Sequence, residues 1–308
     1  MADADVAKPR GRQKWVKHNL SNAVVYGGLF HGAVRLPNWV LQGINVTGNS
    51  IALPFLHRTV AGMADNFVKA LDVPEKEAKR LARRVFFDYG RTTIDVWRAR
   101  SGRPELLPRL TSLDADGVVL DRGVNEGDGK GFLIVSGHIG NWEMGAVSLR
   151  LRGYQPAVVG QPELDPAVHE MRLAIRRQLG VESIDMGTSM ATALRVRTAV
   201  EKGWVVALVA DRAYDEDHVV VPFFGRPTRF LRSPALLARF CKRPILPGFF
   251  LRNPDGSYRS VFGPFLFADE KADPESDAVR MMSEVAATLE RVVREEPTQW
   301  FNFYRYWG

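Results

Sequence analysis

Apolar runs alternate with amphipathic stretches from residue 131 to residue 250. Gly131-Phe132-Leu133-Ile134-Val135 reads as a buried strand and ends in a small-residue turn, Ser136-Gly137-His138-Ile139-Gly140. Asn141 then predicts a helix cap, with Glu143 in the first turn and Met144 to Leu151 continuing the helix. Tyr154 to Gly160 predicts a short strand, Asp165 to Leu179 a helix closed by Gly180, and Val181 to Asp185 another strand. Thr188 or Ser189 caps a helix that runs to Lys202 and stops at Gly203. Trp204 to Ala210 is a second buried-strand pattern. Ser233 opens a capped helix with Pro234 at its first position, and Arg243 to Phe249 gives a further strand. Such alternation predicts an α/β fold: a mainly parallel central sheet flanked by helices. The turn Asn253-Pro254-Asp255-Gly256 makes Ile245–Arg252 and Ser257–Phe265 an antiparallel pair, and Asp277 to Glu295 is a last amphipathic helix.

The pattern differs upstream. Residues 1–14 read as a disordered basic tail, 15–72 as a helical region and 73–308 as one domain. Asp72 and Pro74 open a strong helix in which Leu81, Val85, Tyr89 and Val96 recur at near-helical spacing. Gly117 to Lys130 reads as a polar connection into the first motif strand. Leu36 to Leu56 carries no formal charge, but Asn38, Gln42, Asn45, Thr47, Asn49 and Ser50 make it too polar for a bilayer core. Leu20 to Val34 is more apolar but short. Residues 18 to 56 are therefore expected to lie on a membrane or against the domain, as an N-terminal helical membrane-associating extension.

Composition narrows the partners. The net charge is +7, which suits an anionic one. Lys8, Arg10, Arg12, Lys14 and Lys17 crowd the N-terminus, and Lys76, Lys79, Arg80, Arg83 and Arg84 line one helix. Basic residues beside aromatic and aliphatic ones suit a membrane surface. No nucleic-acid-binding motif is present, so nucleic acid is not expected. The first 18 residues are polar and show no secretory signal. A single cysteine, Cys241, excludes an intramolecular disulfide and suits a reducing compartment. Six histidines without paired cysteines or a His-Glu-x-x-His run argue against zinc.

The candidate chemistry centres on His138. It stands at the carboxyl end of a strand, the edge at which open α/β sheets bind ligands, with Glu143 five residues on. A histidine beside a carboxylate there can act as a general base of fixed orientation. The string Ser-Gly-His-x-Gly-Asn-Trp-Glu over 136–143 resembles the His-x4-Asp/Glu signature of the glycerolipid acyltransferase superfamily. It is most similar to the branch that acylates lipid A precursors and phosphatidylinositol mannosides. The similarity extends to the strand ending in Asp211-Arg212, to Val221-Pro222-Phe223-Phe224-Gly225-Arg226-Pro227, and over residues 75 to 305 in all. The chain departs from that branch near its end: the Trp-x-x-His-Arg-Arg-like segment is replaced by Trp300-Phe301-Asn302-Phe303-Tyr304-Arg305-Tyr306-Trp307, which leaves the acceptor lipid open.

The resemblance implies transfer of a fatty acyl chain from a thioester of coenzyme A or acyl carrier protein to a hydroxyl of a glycolipid or phospholipid. It implies no other cofactor, and a place on the cytoplasmic face of a bacterial inner membrane, peripheral or held by one N-terminal anchor. His138 would be the general base. Its carboxylate partner is either Glu143, near in sequence and slightly favoured, or Asp211, distant in sequence but expected at the carboxyl end of a neighbouring strand. Gly137 and Gly140 could present amides to an oxyanion. With Asn141, Arg176, Arg177 and Arg212 they form the expected substrate-binding set, the arginines as contacts for phosphate or phosphopantetheine. Trp142, Phe223 and Phe224 could wall an acyl slot or simply pack. Two other readings stay open: a metal-dependent hydrolase using His138, Glu143 and Asp211, and a non-catalytic lipid-binding homologue.

Overall fold

Eight strands occur in the computed structural model, which describes residues 32, 35–99, 107–109, 113–125, 129–163, 165–186, 189–213 and 216–307. They are β1 (Leu133–Ser136), β2 (Pro156–Gly160), β3 (Glu182–Asp185), β4 (Val205–Val209), β5 (Val219–Phe223), β6 (Arg226–Phe230), β7 (Ile245–Arg252) and β8 (Tyr258–Phe262). Six of them form one sheet in the order β3-β2-β4-β1-β7-β8. Every pairing in it is parallel except β7 with β8. β1 lies near the middle with all four residues buried, which is why its sequence is an unbroken apolar run rather than an alternation.

Helices cover both faces. Leu133 and Val135 of β1, with Val206 and Ile245 beside them, belong to the same cluster as Met281, Met282, Val285 and Leu289 of α9 (Pro274–Glu295), which packs under the sheet. Ile134 points the other way, with Phe132, Val205 and Leu246, towards Leu120 and Leu149. Leu120 sits on a helix, Leu113–Asn125, where the sequence predicts a polar connection from residue 117. The physical reason is non-local. Leu120 is fully buried, with Val119 and Val124 alongside, and this one apolar stripe outweighs the Asp and Gly residues around it.

In chain order the helices are α1 (Asn38–Ala52), α2 (His57–Leu71), α3 (Glu75–Ala99), α4 (Leu113–Asn125), α5 (Trp142–Leu151), α6 (Pro166–Gln178), α7 (Ser189–Glu201), α8 (Ser233–Cys241) and α9. Most expected boundaries hold to within a few residues. Three caps differ. Asp72 does not open α3; it closes α2 in the left-handed conformation, with φ of 53°. α8 is preceded by Arg232 rather than capped by the Ser233 hydroxyl, and the Asp217 carboxylate accepts the Ser233 amide at 3.0 Å. α9 starts three residues before Asp277, capped by Asp273, while Asp277 itself is buried.

β5 and β6 make a separate antiparallel hairpin. Its two-residue loop is Phe224-Gly225, both with positive φ (51° and 68°), as a type I′ turn requires. Phenylalanine is a poor residue for that conformation. Here the Phe224 amide donates to Glu290 Oε2 at 2.6 Å, and its ring joins Phe223, Trp300 and Trp307 in an aromatic cluster.

Two polar residues of the uncharged stretch 36–56 have partners inside the protein. Asn45 donates to the Phe87 carbonyl of α3 at 3.0 Å, and Asn49 donates to Asn45 at 2.7 Å. Trp39, Ile51 and Phe55 stay outside, at 77, 65 and 81% exposure. Among the described residues no helix is long and apolar enough to cross a membrane. The basic tail, and the stretch from Leu20 up to residue 31, lie outside the described residues.

Candidate active site

Two strand ends build the site. β1 and β4 are parallel neighbours in a register that pairs Ser136 with Val209. Two residues further along each chain stand His138 and Asp211, so the pairing itself brings them together. His138 Nδ1 lies 2.6 Å from Asp211 Oδ1. The ring's Nε2 hydrogen-bonds none of the described residues, and the His138 side chain keeps 20% exposure while that of Asp211 has none. Trp142 meets the imidazole edge to face, with centroids 5.5 Å apart.

The electrostatics define the protonation. Burial is the strongest influence on His138 and pulls its pKa down; Asp211 opposes this, Arg212 reinforces it, and the net value lies below the ordinary 6.5. Burial of Asp211 pushes the other way, but the charge and hydrogen bond of His138, with Arg212 nearby, hold the carboxyl below its ordinary 3.8. At neutral pH the pair is therefore a neutral imidazole donating Nδ1–H to a carboxylate, with the lone pair of Nε2 available. This is the arrangement that equips a histidine to take a proton.

Of the two carboxylates considered for His138, the hydrogen bond goes to Asp211, not to the sequence neighbour Glu143. Glu143 lies in the first turn of α5 and is gripped by Arg176 of α6, with NH2 to Oε1 at 2.5 Å and Nε to Oε2 at 3.2 Å. The expectation that Arg176 contacts a phosphate is corrected by the same geometry, because its buried guanidinium is engaged by Glu143 and, at 3.5 Å, by Ser183. Arg177 lies on the exposed face of α6, 3.7 Å from Glu170. Arg212 stacks over the Tyr304 ring and donates to the Asn302 side chain at 3.1 Å and the Phe301 carbonyl at 2.8 Å.

The turn carrying His138 is held on all sides. Gly140 adopts φ of 64°, and a Cβ there would stand 2.2 Å from the Phe250 carbonyl oxygen, so only glycine fits. Its amide donates to the Gln299 carbonyl at 2.9 Å and is not free to face an oxyanion, which corrects that expectation for Gly140. Gly137 packs beneath Leu289, beside the Asp211 carboxyl. Asn141 is buried and caps α5 through the Met144 amide at 3.1 Å. Its Nδ2 donates to the Thr92 carbonyl at 3.1 Å and the Tyr258 hydroxyl at 3.0 Å. Tyr258 in turn donates to Asp95 at 2.8 Å, and Arg252 meets the same carboxylate at 2.7 Å. Asn141 thus serves as an internal tie rather than an exposed contact.

Sequence reasoning read Asn141 as a cap but missed its continuation through Tyr258, Asp95 and Arg252, which are isolated polar residues with no local pattern. It also missed the use of the segment 299–307. The unusual density of aromatic residues there was the available signal, but what they wrap is set by the fold. Phe223 and Phe224 are buried in that cluster, so they pack rather than wall an open slot. Among the described residues no three histidine, cysteine or acidic side chains are grouped to share a metal ion. Glu143, one of the three residues of the metal-hydrolase reading, is paired with Arg176.

The family model described as bacterial lipid A biosynthesis acyltransferase matches residues 24–308 of the chain. No curated protein matches it.

Proposed function

This chain belongs to the bacterial lipid A biosynthesis acyltransferase family and is an acyltransferase, and we propose that it uses His138 as the general base for acylating a lipid hydroxyl. The observation that carries this reading is the His138–Asp211 hydrogen bond of 2.6 Å with Nε2 left open. In the proposed reaction the acceptor hydroxyl approaches Nε2 and gives up its proton as its oxygen attacks the thioester carbonyl. A tetrahedral intermediate forms, the C–S bond breaks, and the thiolate of coenzyme A or acyl carrier protein leaves, taking the proton back from the imidazolium. Asp211 keeps Nδ1 protonated and stabilises the imidazolium in between. No covalent acyl-enzyme is required, since the attack is direct.

The acceptor is a glycolipid or phospholipid hydroxyl, of lipid A precursor or phosphatidylinositol mannoside type. The protein meets it at the cytoplasmic face of a membrane. Support for a peripheral approach comes from the exposed Trp39, Ile51 and Phe55 on and just after α1. The test is incubation of the purified full chain with acyl-coenzyme A and acyl carrier protein thioesters, each against both acceptor types, with lipid products read by mass spectrometry. Acylated product from wild type and none from His138→Ala is the expected result. A His138→Ala protein that still acylates at near wild-type rate sinks the mechanism, because general-base removal costs about 10²–10⁴ in rate.

A further inference from the structure

The two members of the dyad are joined to each other by side chains and, separately, to one common segment by main-chain bonds. The Phe301 amide donates to the His138 carbonyl at 2.7 Å, and Ile139 forms a β-bridge with Trp300. On the other strand end, the Tyr306 hydroxyl donates to the Asp211 carbonyl. Arg212, next in the chain, is forked onto Asn302 and Phe301. The segment is itself anchored at both ends. Gln299 forms a two-bond clasp with the main chain of Arg252, at 2.9 and 2.8 Å. Buried Asn66 of α2 accepts from the Tyr306 amide and donates to the Tyr304 carbonyl, both at 2.7 Å. Trp307 Nε1 closes on Thr228 at 2.9 Å.

We propose that the segment 299–307 is a clamp that sets the His138–Asp211 geometry, and that Tyr306 is a positioning residue acting through Asp211. This rests on the reading of His138 as the base. The local argument is one of freedom. Main-chain bonds from the Ala210 amide to the Ser136 carbonyl and from the Leu231 amide to the Ala210 carbonyl, both at 2.9 Å, fix the strand end as far as residue 210 and leave the Asp211 carbonyl to be held separately. No described residue other than His138 hydrogen-bonds the carboxylate, and its Oδ2 is buried without a partner. The main-chain carbonyl of Asp211 is a further handle, and Tyr306 holds it. The Tyr306 ring is packed against Trp300 and Trp307, at centroid distances of 5.3 and 5.0 Å, which fixes where the hydroxyl points. The segment replacing the branch's Trp-x-x-His-Arg-Arg-like ending therefore acts on the reacting groups from behind.

Tyr306→Phe removes the one hydroxyl and leaves the ring packing. With a palmitoyl thioester of coenzyme A and whichever acceptor turns over above, kcat should fall roughly tenfold, the scale of one lost buried hydrogen bond, with both KM values unchanged. The acid limb of the pH–rate profile should move to lower pH, because Asp211 raises the His138 pKa and would then couple to it less well. In an Asp211→Asn background the same change should have almost no further effect. The downfield Nδ1 proton of His138 in an NMR spectrum should shift upfield in Tyr306→Phe, a readout that needs no substrate. If Tyr306→Phe fails to fold, Asn302→Ala, which removes one of the two bonds from Arg212 to the segment and keeps Tyr306, is measured instead and should lower kcat in the same direction. Wild-type kcat, pH profile and Nδ1 proton in the variant, with His138→Ala inactive, overturn the clamp and leave the base intact. A tenfold loss that persists in Asp211→Asn also overturns it, since the effect would then be general loosening. An active His138→Ala instead overturns the underlying mechanism.

Discussion

Asp211 carries its charge where water does not reach, with a single hydrogen-bonded neighbour for its carboxylate. That makes its substitution diagnostic. Asp211→Asn keeps the shape but offers Nδ1 an amide and favours the wrong tautomer, so the rate should fall about 10²–10⁴-fold. Glu143→Gln should behave differently. It weakens a largely buried pair with Arg176, so its main effect should be on stability, about 3 kcal/mol or less, with a smaller loss of rate. Urea unfolding and steady-state kinetics on the two variants separate these outcomes, and equal rate losses would reject Asp211 as the specific partner. The pH dependence follows from the same pair. His138 must be neutral to accept a proton, and its pKa lies below 6.5. Activity should therefore be level near neutrality and fall only as pH drops below that value. A profile of kcat/KM with its acid limb above 6.5 would contradict the burial argument.

At the scale of elements, the turn between β1 and α5 does two jobs. It presents His138, and through Asn141 it starts the helix. Asn141→Ala removes the cap, worth about 1 kcal/mol, and also the bonds that Nδ2 gives to the Thr92 carbonyl and the Tyr258 hydroxyl. The total should be roughly 2–4 kcal/mol, visible as a lower urea midpoint. Gly140→Ala should be worse for the site than for the sheet, since the added methyl meets a backbone carbonyl that cannot move aside. A Gly140→Ala protein with normal activity would show that the turn is looser than its geometry implies. The β5–β6 hairpin shows the same rule in another form. Its Phe-Gly loop lacks the usual Asn-Gly signal, and tertiary bonds to Glu290 and the aromatic cluster supply what local preference does not.

Across the whole molecule, the exposed apolar residues of the first described helices stand apart from the closed core. If they rest on lipid, Trp39→Ala and Phe55→Ala should reduce flotation with anionic liposomes severalfold while leaving unfolding midpoints within about 0.5 kcal/mol, as for other exposed positions. Binding should also weaken as salt rises, because the basic contribution is screened over about 10 Å at 0.1 M. Retention that ignores both the substitutions and salt would point to anchoring through residues outside the described ones. On α3 the cations are partly answered by local acids, Lys79 by Glu75 at 2.5 Å and Arg80 by Glu77 at 3.2 Å, so that helix should contribute less than its sequence suggests.

The sequence alone determined the alternation of strands and helices, the parallel sheet, and a histidine at the carboxyl end of a central strand. These are local matters: period, caps and breakers act over a few residues, and the motif 136–143 lies within one strand–turn–helix unit. It also placed Asp211 at the end of a strand expected to neighbour that of His138, but local pattern fixes neither the strand order nor the register. The tertiary structure decided both. Only the β4-β1 pairing, in the register Ser136 to Val209, sets His138 against a carboxylate 73 residues away. Once Arg176 takes up Glu143, the nearer acid has a different partner. The helix over 113–125 and the wrap of 299–307 were equally out of local reach, because each depends on burial against surfaces that exist only after the sheet has formed.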